Sequence, residues 1–357
     1  MRRYNFIVQI FALLLCLSFA NDLAFADAQP SSETAAFVIP TNDYVESGSS
    51  SEVSYMPAVH SQLALPICCA MAAVTLYMQH DCKIEDTSDC ASTPLDRVPS
   101  ALSLAALANS KNGPSLRKDN PISLDKGAGL EFLLLKARDS GLILPESCFP
   151  YDQFSARYAQ GTINDKVQAS RGAFDELRKL YVEQRQKHDV NTCSIIESKF
   201  GIFSDVKNVN DALNESSFES FLHHLLLGNC DTGLEFTVSS HVVWPRKMST
   251  TPVTYDDAFI KIKQVLNQNT PIGISLCPNE IPQTNDVGNC KTGSHCAVIS
   301  GYKKVCKESS CIDLVKIHNS WGADWQAENN DGWVLAKPLL EHAAIGKASQ
   351  LLYLDGE

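Results

Sequence analysis

The stretch from Cys68 to Gln79, CCAMAAVTLYMQ, constrains the fold more than any other part of the chain. It is almost wholly apolar, and its Ala, Met and Leu residues favour helix. A helix that is apolar on every side has no face to offer water and belongs inside a domain. The rest of the molecule must therefore wrap around this segment. Pro66, just ahead of it, suits the start of a helix, where a missing N–H costs nothing. At 357 residues the chain has the length for one or two domains with large cores.

Patterning differs on the two sides of the chain's middle. Residues 82–114 read as a loop with one short helix near Leu102 to Ala108. Gly129 to Ser140 has helical periodicity and stops at Gly141. Asp152 to about Gly228 is charged and helical in pattern, with runs such as FDELRKLYVEQRQKH and FESFLHHLLLG. Beyond Val253, Tyr255 to Gln268 is an amphipathic helix and Pro271 to Leu276 is strand-like. Ala297 to Val305 and Ile312 to His318 alternate as paired strands around a turn at Lys307 to Ser310. Gly332 to Ala336 and Leu351 to Leu354 read as further strands. A helical half followed by a mainly β half predicts an α+β fold of two packed lobes.

The first residues read as a targeting segment. Arg2 and Arg3 precede an apolar run from Phe6 to Phe19, and Ala24-Phe25-Ala26 has the small-x-small form of a cleavage site. The run is short for a membrane span, which needs at least ~17 residues. Residues 1–26 are thus expected to be a signal peptide, 27–52 an extended lead-in, and the mature chain a secreted or periplasmic protein without stable membrane insertion. A formal charge of -11 with no cluster of Lys and Arg excludes a nucleic-acid partner from the expectations.

Export changes how the 13 cysteines read. Cys16 leaves with the leader, and in an oxidising compartment most of the other twelve are expected to pair. Closeness in sequence offers Cys82 with Cys90, Cys277 with Cys290, Cys306 with Cys311 and Cys193 with Cys230. Cys69, Cys148 and Cys296 are left over, and Cys68 is a candidate for a reactive thiol.

Three stretches carry candidate chemistry. Gln62-Leu-Ala-Leu-Pro-Ile-Cys68-Cys69 delivers a cysteine to the start of the buried helix, where the helix dipole and unpaired N–H groups favour thiolate, the nucleophilic form. Gly293-Ser-His295-Cys-Ala-Val-Ile-Ser-Gly-Tyr302 places a histidine at the mouth of a strand. Ile317-His-Asn319-Ser-Trp321-Gly322 is followed by Trp325 and by Asp331-Gly-Trp333.

Together these stretches resemble the papain and cathepsin family of cysteine peptidases. The Asn-Ser-Trp-Gly block looks like that family's asparagine segment, the Gly-x-His-x-Ala-Val frame like its histidine strand, and Gln62 lies six positions before Cys68 in the register of its oxyanion glutamine. Ser147-Cys-Phe-Pro-Tyr151 is similar to the family's Pro-Tyr corner. The resemblance spans about Val53 to Leu354 and implies a papain-like two-lobed domain over 53–357, its N-terminal helical lobe facing an antiparallel β lobe across the cleft. It implies Cys68 as nucleophile, His295 as general base, Asn319 as the residue that orients the imidazole and Trp321 as its cover. Gln62 with the Cys68 N–H would meet the oxyanion. Gly127, Gly129, Ser275 and Cys296 would border the substrate. No metal or organic cofactor is implied, and the partner would be a peptide or protein substrate.

The chain departs from the family in several places. Pro66-Ile67 replaces the usual Gly-Ser before the nucleophile and Cys69 the usual aromatic after it, so Cys68 and Cys69 compete for the role. Leu65 stands where the family often has a bridged cysteine, and 27–53 is much shorter than the usual inhibitory propeptide. The extra length at about 152–250 is expected to be an insertion that caps the cleft, binds a partner or merely decorates the domain. A catalytically silent peptide-binding module and an acyl-transferring enzyme with the same triad are the rival readings.

Overall fold

The computed structural model describes residues 44–65, 67–86, 89–109, 129–140, 143–158, 160–187, 189, 191–202, 204–228, 230, 246–247, 254–276, 295–343 and 351–354. The expected leader, most of the lead-in, Gly127, and the pair Cys277 and Cys290 lie outside them.

The apolar segment forms helix α1, Cys68–Ile84, and fourteen of its side chains are buried. It runs five residues beyond the apolar stretch because His80, Asp81 and Lys83 complete its last turn against other elements. Lys83, for instance, donates to the carbonyl of Gln268. Polar Gln79, inside the helix, is satisfied by donating to the carbonyls of Ser54 and Asn269, as a buried amide requires.

Around α1 stand α2 (Ala101–Asn109), α3 (Leu130–Ser140), α4 (Tyr151–Ala156), α5 (Ile163–Gln184), α6 (Thr192–Phe200), α7 (Val206–Leu213) and α8 (Phe218–Leu227). The start of α5 is fixed by a capping box in which Thr162 and Asp165 satisfy each other's backbone N–H groups. Phe154, Phe174, Leu177, Tyr181, Ile196, Val209 and Phe221 from this region join the same hydrophobic cluster as α1, α2 and α3. The described part of the 152–250 stretch is therefore not a separate body; it shares one core with the central helix.

The second half is built on an antiparallel sheet in the order β3-β8-β4-β5-β6-β7. Its strands are β3 (Arg246–Lys247), β4 (Ile272–Leu276), β5 (His295–Lys307), β6 (Ser310–His318), β7 (Trp333–Leu335) and β8 (Leu351–Tyr353). Two short strands of the lead-in side, β1 (Val45–Glu46) and β2 (Ser51–Glu52), pair with the far half of β5. Helix α9 (Tyr255–Leu266), begun by a second capping box at Thr254, and helix α11 (Ala336–Ala343) pack on the sheet, while α10 (Ala323–Glu328) follows Gly322. Among the described residues no helix is long and apolar enough to cross a membrane.

Strand β5 is the wall between the two cores. Cys296 and Val298 face the helical cluster, whereas Ala297 and Ile299 face the β cluster that holds Trp321 and Trp325. Period-two alternation produces this directly, until a register shift between Ile299 and Gly301 resets it. The predicted α+β architecture is what is found. Its main refinement is that β5 begins at His295 rather than Ala297, which puts the histidine on the strand itself.

Cysteine pairing follows the expectation in part. Cys82–Cys90 and Cys306–Cys311 are bridged. The expected Cys193–Cys230 bridge is corrected: Cys230 pairs with Cys148, and Cys193 keeps a thiol. The reason is position, since Cys193 lies in the first turn of α6 and donates to the carbonyl of Ser204, 3.1 Å away. The leftover cysteines Cys69 and Cys296 are bonded to each other across 227 residues.

Candidate active site

Cys68 is the first residue of α1 and His295 the first of β5. Helix α1 has no side-chain cap, so its first N–H groups are open to another acceptor. The backbone N–H groups of Cys296, Cys69 and Cys68 favour a charged sulfur there. Because Cys296 follows His295, the influence of its N–H sets the thiol beside the histidine strand. Burial pushes the Cys68 thiol up, and those three N–H groups pull against it. Residue Cys69 cannot compete as a nucleophile while it is held in the bridge to Cys296.

The imidazole of His295 lies 2.7 Å, Nε2 to Oδ1, from the side chain of Asn319. An amide oxygen can only accept, so the proton sits on Nε2 and the Nδ1 lone pair is left available. Nδ1 is buried and has no hydrogen-bond partner among the described residues. The Trp321 ring stacks on the imidazole at 4.6 Å between centroids and 26° between planes. With His295 only 1% exposed and Asn319 3%, the bond is shut away from water. Burial drives the imidazole pKa down to about 4, partly opposed by the Asn319 bond. Thiol and imidazole are therefore both uncharged at neutral pH in this closed arrangement.

Gln62 is laced into the same centre. Its Oε1 accepts from the Ser320 hydroxyl at 2.7 Å and its Nε2 donates to the Leu65 carbonyl at 3.1 Å. Its backbone N–H donates to the Ser320 carbonyl, and Ser61 pairs with Trp321 in an isolated β-bridge. The glutamine loop and the Asn-Ser-Trp-Gly loop are thus one hydrogen-bonded unit. Leu63, next to Gln62, takes a left-handed backbone at φ 50 although it is buried; such a conformation in a residue with a β-carbon costs about 1–2 kcal/mol.

The remaining expected residues fall in different places. Gly129 is exposed and precedes α3. Ser275 on β4 is half-buried opposite Cys296, its Oγ 3.5 Å from the Cys296 sulfur. Cys296 has no exposed surface and is committed to the bridge. Among the described residues no group of three His, Cys, Asp or Glu side chains is arranged to hold a metal ion.

Sequence reasoning did not single out several supporting residues. Ser320 anchors Gln62, and the Tyr151 hydroxyl donates to the Gln62 carbonyl at 2.6 Å. Ser170 of α5 accepts from the Ala64 N–H. Lys166 of the same helix pairs with Asp324 of α10, two residues past Gly322. The helical stretch therefore buttresses both loops of the site. Tyr151 lay within the Pro-Tyr resemblance; nothing local to Ser170 or Lys166 marks them. Behind Asn319 a small cavity of about 10 Å³, room for one water, is lined by His60, Thr75, His318 and Ser320 among others.

No protein-family model matches the chain, and no curated protein matches it. Among solved structures, the chain is similar to a digestive procathepsin L 3 of Tenebrio molitor larval midgut, with 12% identity, 93% of this chain and 77% of that one covered, and a TM-score of 0.43. It is similar to xylellain, a cysteine protease from Xylella fastidiosa, with 13% identity, coverage of 90% and 96%, and a TM-score of 0.41. A recombinant stem bromelain precursor aligns at 13% identity over 91% and 80% of the two chains, with a TM-score of 0.39.

Proposed function

We propose that the chain is an exported papain-like cysteine peptidase that hydrolyses peptide bonds through Cys68, His295 and Asn319. The observation that carries this reading is the buried His295–Asn319 hydrogen bond under Trp321, which leaves Nδ1 as an unoccupied base. In the proposed cycle Nδ1 takes the Cys68 proton as the sulfur attacks the scissile carbonyl. The Cys68 N–H and the Gln62 amide meet the oxyanion, each such donor contributing about 3 kcal/mol in comparable sites. The protonated imidazole then gives its proton to the leaving amine, a thioester remains, and neutral His295 activates the water that hydrolyses it. The bridged cysteines support an oxidising compartment and hence export of the mature chain.

A second reading is favoured by one observation. Cys68 is only 6% exposed and its burial holds the thiol uncharged, as suits a silent module that binds peptides without cleaving them. Treating the mature protein with an active-site-directed epoxide and mapping the adduct by mass spectrometry decides between them. A single adduct on Cys68 with loss of peptide hydrolysis is the expected result. A folded protein that hydrolyses no peptide and forms no adduct would overturn the peptidase reading in favour of the silent module.

A further inference from the structure

A thiol and an imidazole that sit on elements from different lobes react together only if those elements keep register. Here each reacting residue opens its element, Cys68 on α1 and His295 on β5. The very next residue of each is joined to the other: Cys69 to Cys296, with Cα atoms 4.7 Å apart and both side chains buried. The bridge thus ties the start of α1 to the start of β5 one residue away from both reactive groups. The other described bridges lie elsewhere: Cys82–Cys90 beside the far end of α1, Cys306–Cys311 at the β5–β6 turn, and Cys148–Cys230 within the helical region.

We propose that the Cys69–Cys296 disulfide is a positioning device for the reaction, holding the Cys68 thiol in line with Nδ1 of His295. The proposal rests on the peptidase reading. It makes the enzyme one that works only with Cys68 reduced and this one bridge oxidised. Two electrons and two protons from a dithiol or phosphine reductant open the bridge to Cys69 and Cys296 thiols and release the two element starts from each other. Reductant strong enough to open the bridge therefore removes activity even though it leaves Cys68 a thiol.

The test compares the full mature chain with the Cys69→Ala/Cys296→Ala double variant, using iodoacetamide alkylation of Cys68 from pH 5 to 9 alongside peptide hydrolysis. In the native protein alkylation at pH 6 should be fast, because Nδ1 of His295 takes the proton as the sulfur attacks the reagent, so that no standing thiolate is needed. In the variant it should rise only through the ordinary thiol range near pH 8.5, falling about 100-fold at pH 6, with kcat down about 100-fold and KM little changed. A Cys306→Ser/Cys311→Ser control should keep the native pH profile. Should the double variant not fold, stepwise reduction of the native protein replaces it, with each bridge's state read by differential alkylation and mass spectrometry. Fast pH 6 alkylation in molecules whose Cys69–Cys296 bridge is open overturns the proposal; its loss in step with that bridge, and not with the other three, supports it. If native Cys68 alkylates no faster at pH 6 than an ordinary thiol, the peptidase reading itself falls, and this inference with it.

Discussion

Replacing Asn319 by Ala removes one hydrogen bond and leaves the rest of the site in place. That bond is 2.7 Å long, between neutral partners, with both residues almost without exposed surface. Its loss strands the buried Nε2–H of His295, and a buried donor left unsatisfied costs about 1–3 kcal/mol. With that acceptor gone, nothing favours the proton on Nε2 over Nδ1, the nitrogen that the proposed cycle needs bare. The active tautomer loses the preference that the bond gave it, so kcat should fall about 5- to 150-fold while KM and the cooperative unfolding transition persist. Asn319→Asp adds the discriminating arm. A carboxylate beside the imidazole favours its protonated form, so the acid limb of kcat/KM should move to higher pH than in the native protein. A kcat for the Ala variant within twofold of native, or an acid limb that stays put in the Asp variant, would refute the role given to Asn319.

Other outcomes follow from the same structure. Gln62→Ala should lower kcat about 100-fold with little change in KM, read by steady-state kinetics; an unchanged kcat removes Gln62 from the oxyanion site. Stability should fall on acidification from pH 6.5 to 4. In that window the unfolded chain protonates His295 and the folded one, with a pKa of about 4, does not; the stabilisation is complete above 6.5 and is lost as pH falls. His295 alone accounts for about 3 kcal/mol at about 1.4 kcal/mol per pH unit. His223 and His318, also pushed to about 4 by burial, act in the same direction. At His60 burial lowers the pKa but Asp152 raises it further, so His60 pulls the other way. Urea midpoints that do not move between pH 7 and 4 would contradict this. Opening Cys148–Cys230, which closes a loop of 82 residues' separation, should cost about 4–5 kcal/mol, against about 2 for Cys306–Cys311 with a separation of 5. Equal losses in chemical denaturation would show that loop entropy is not the cause.

How much of this was legible in the sequence depended on the range of the signal. Helix α1 was readable because a wholly apolar run has only one place to go. Strands β4 to β7 were readable because alternation and turn residues are local. The His295–Asn319 pair was legible from its flanking residues, since each motif carries its own context. The Cys69–Cys296 bridge was not: it joins residues at a sequence separation of 227, and parity alone cannot choose partners. The Cys193 error has the same origin, with sequence closeness standing in for a distance that helix packing sets. Ser170 and Lys166 were invisible because only the docking of α5 brings them to the Gln62 and Trp321 loops.

The pairing also sets a timetable for biosynthesis. Chains are made from the N-terminus onward, so Cys68, Cys69, Cys82 and Cys90 emerge long before Cys296. Throughout that interval Cys69 has no native partner, and its neighbours in the growing chain are the wrong ones. The correct bridge can close only when β5 has been delivered. Thiol exchange therefore has a definite repair to make on this chain: releasing early partners of Cys69. Assembly of the centre becomes one of the last events in the life of the nascent polypeptide.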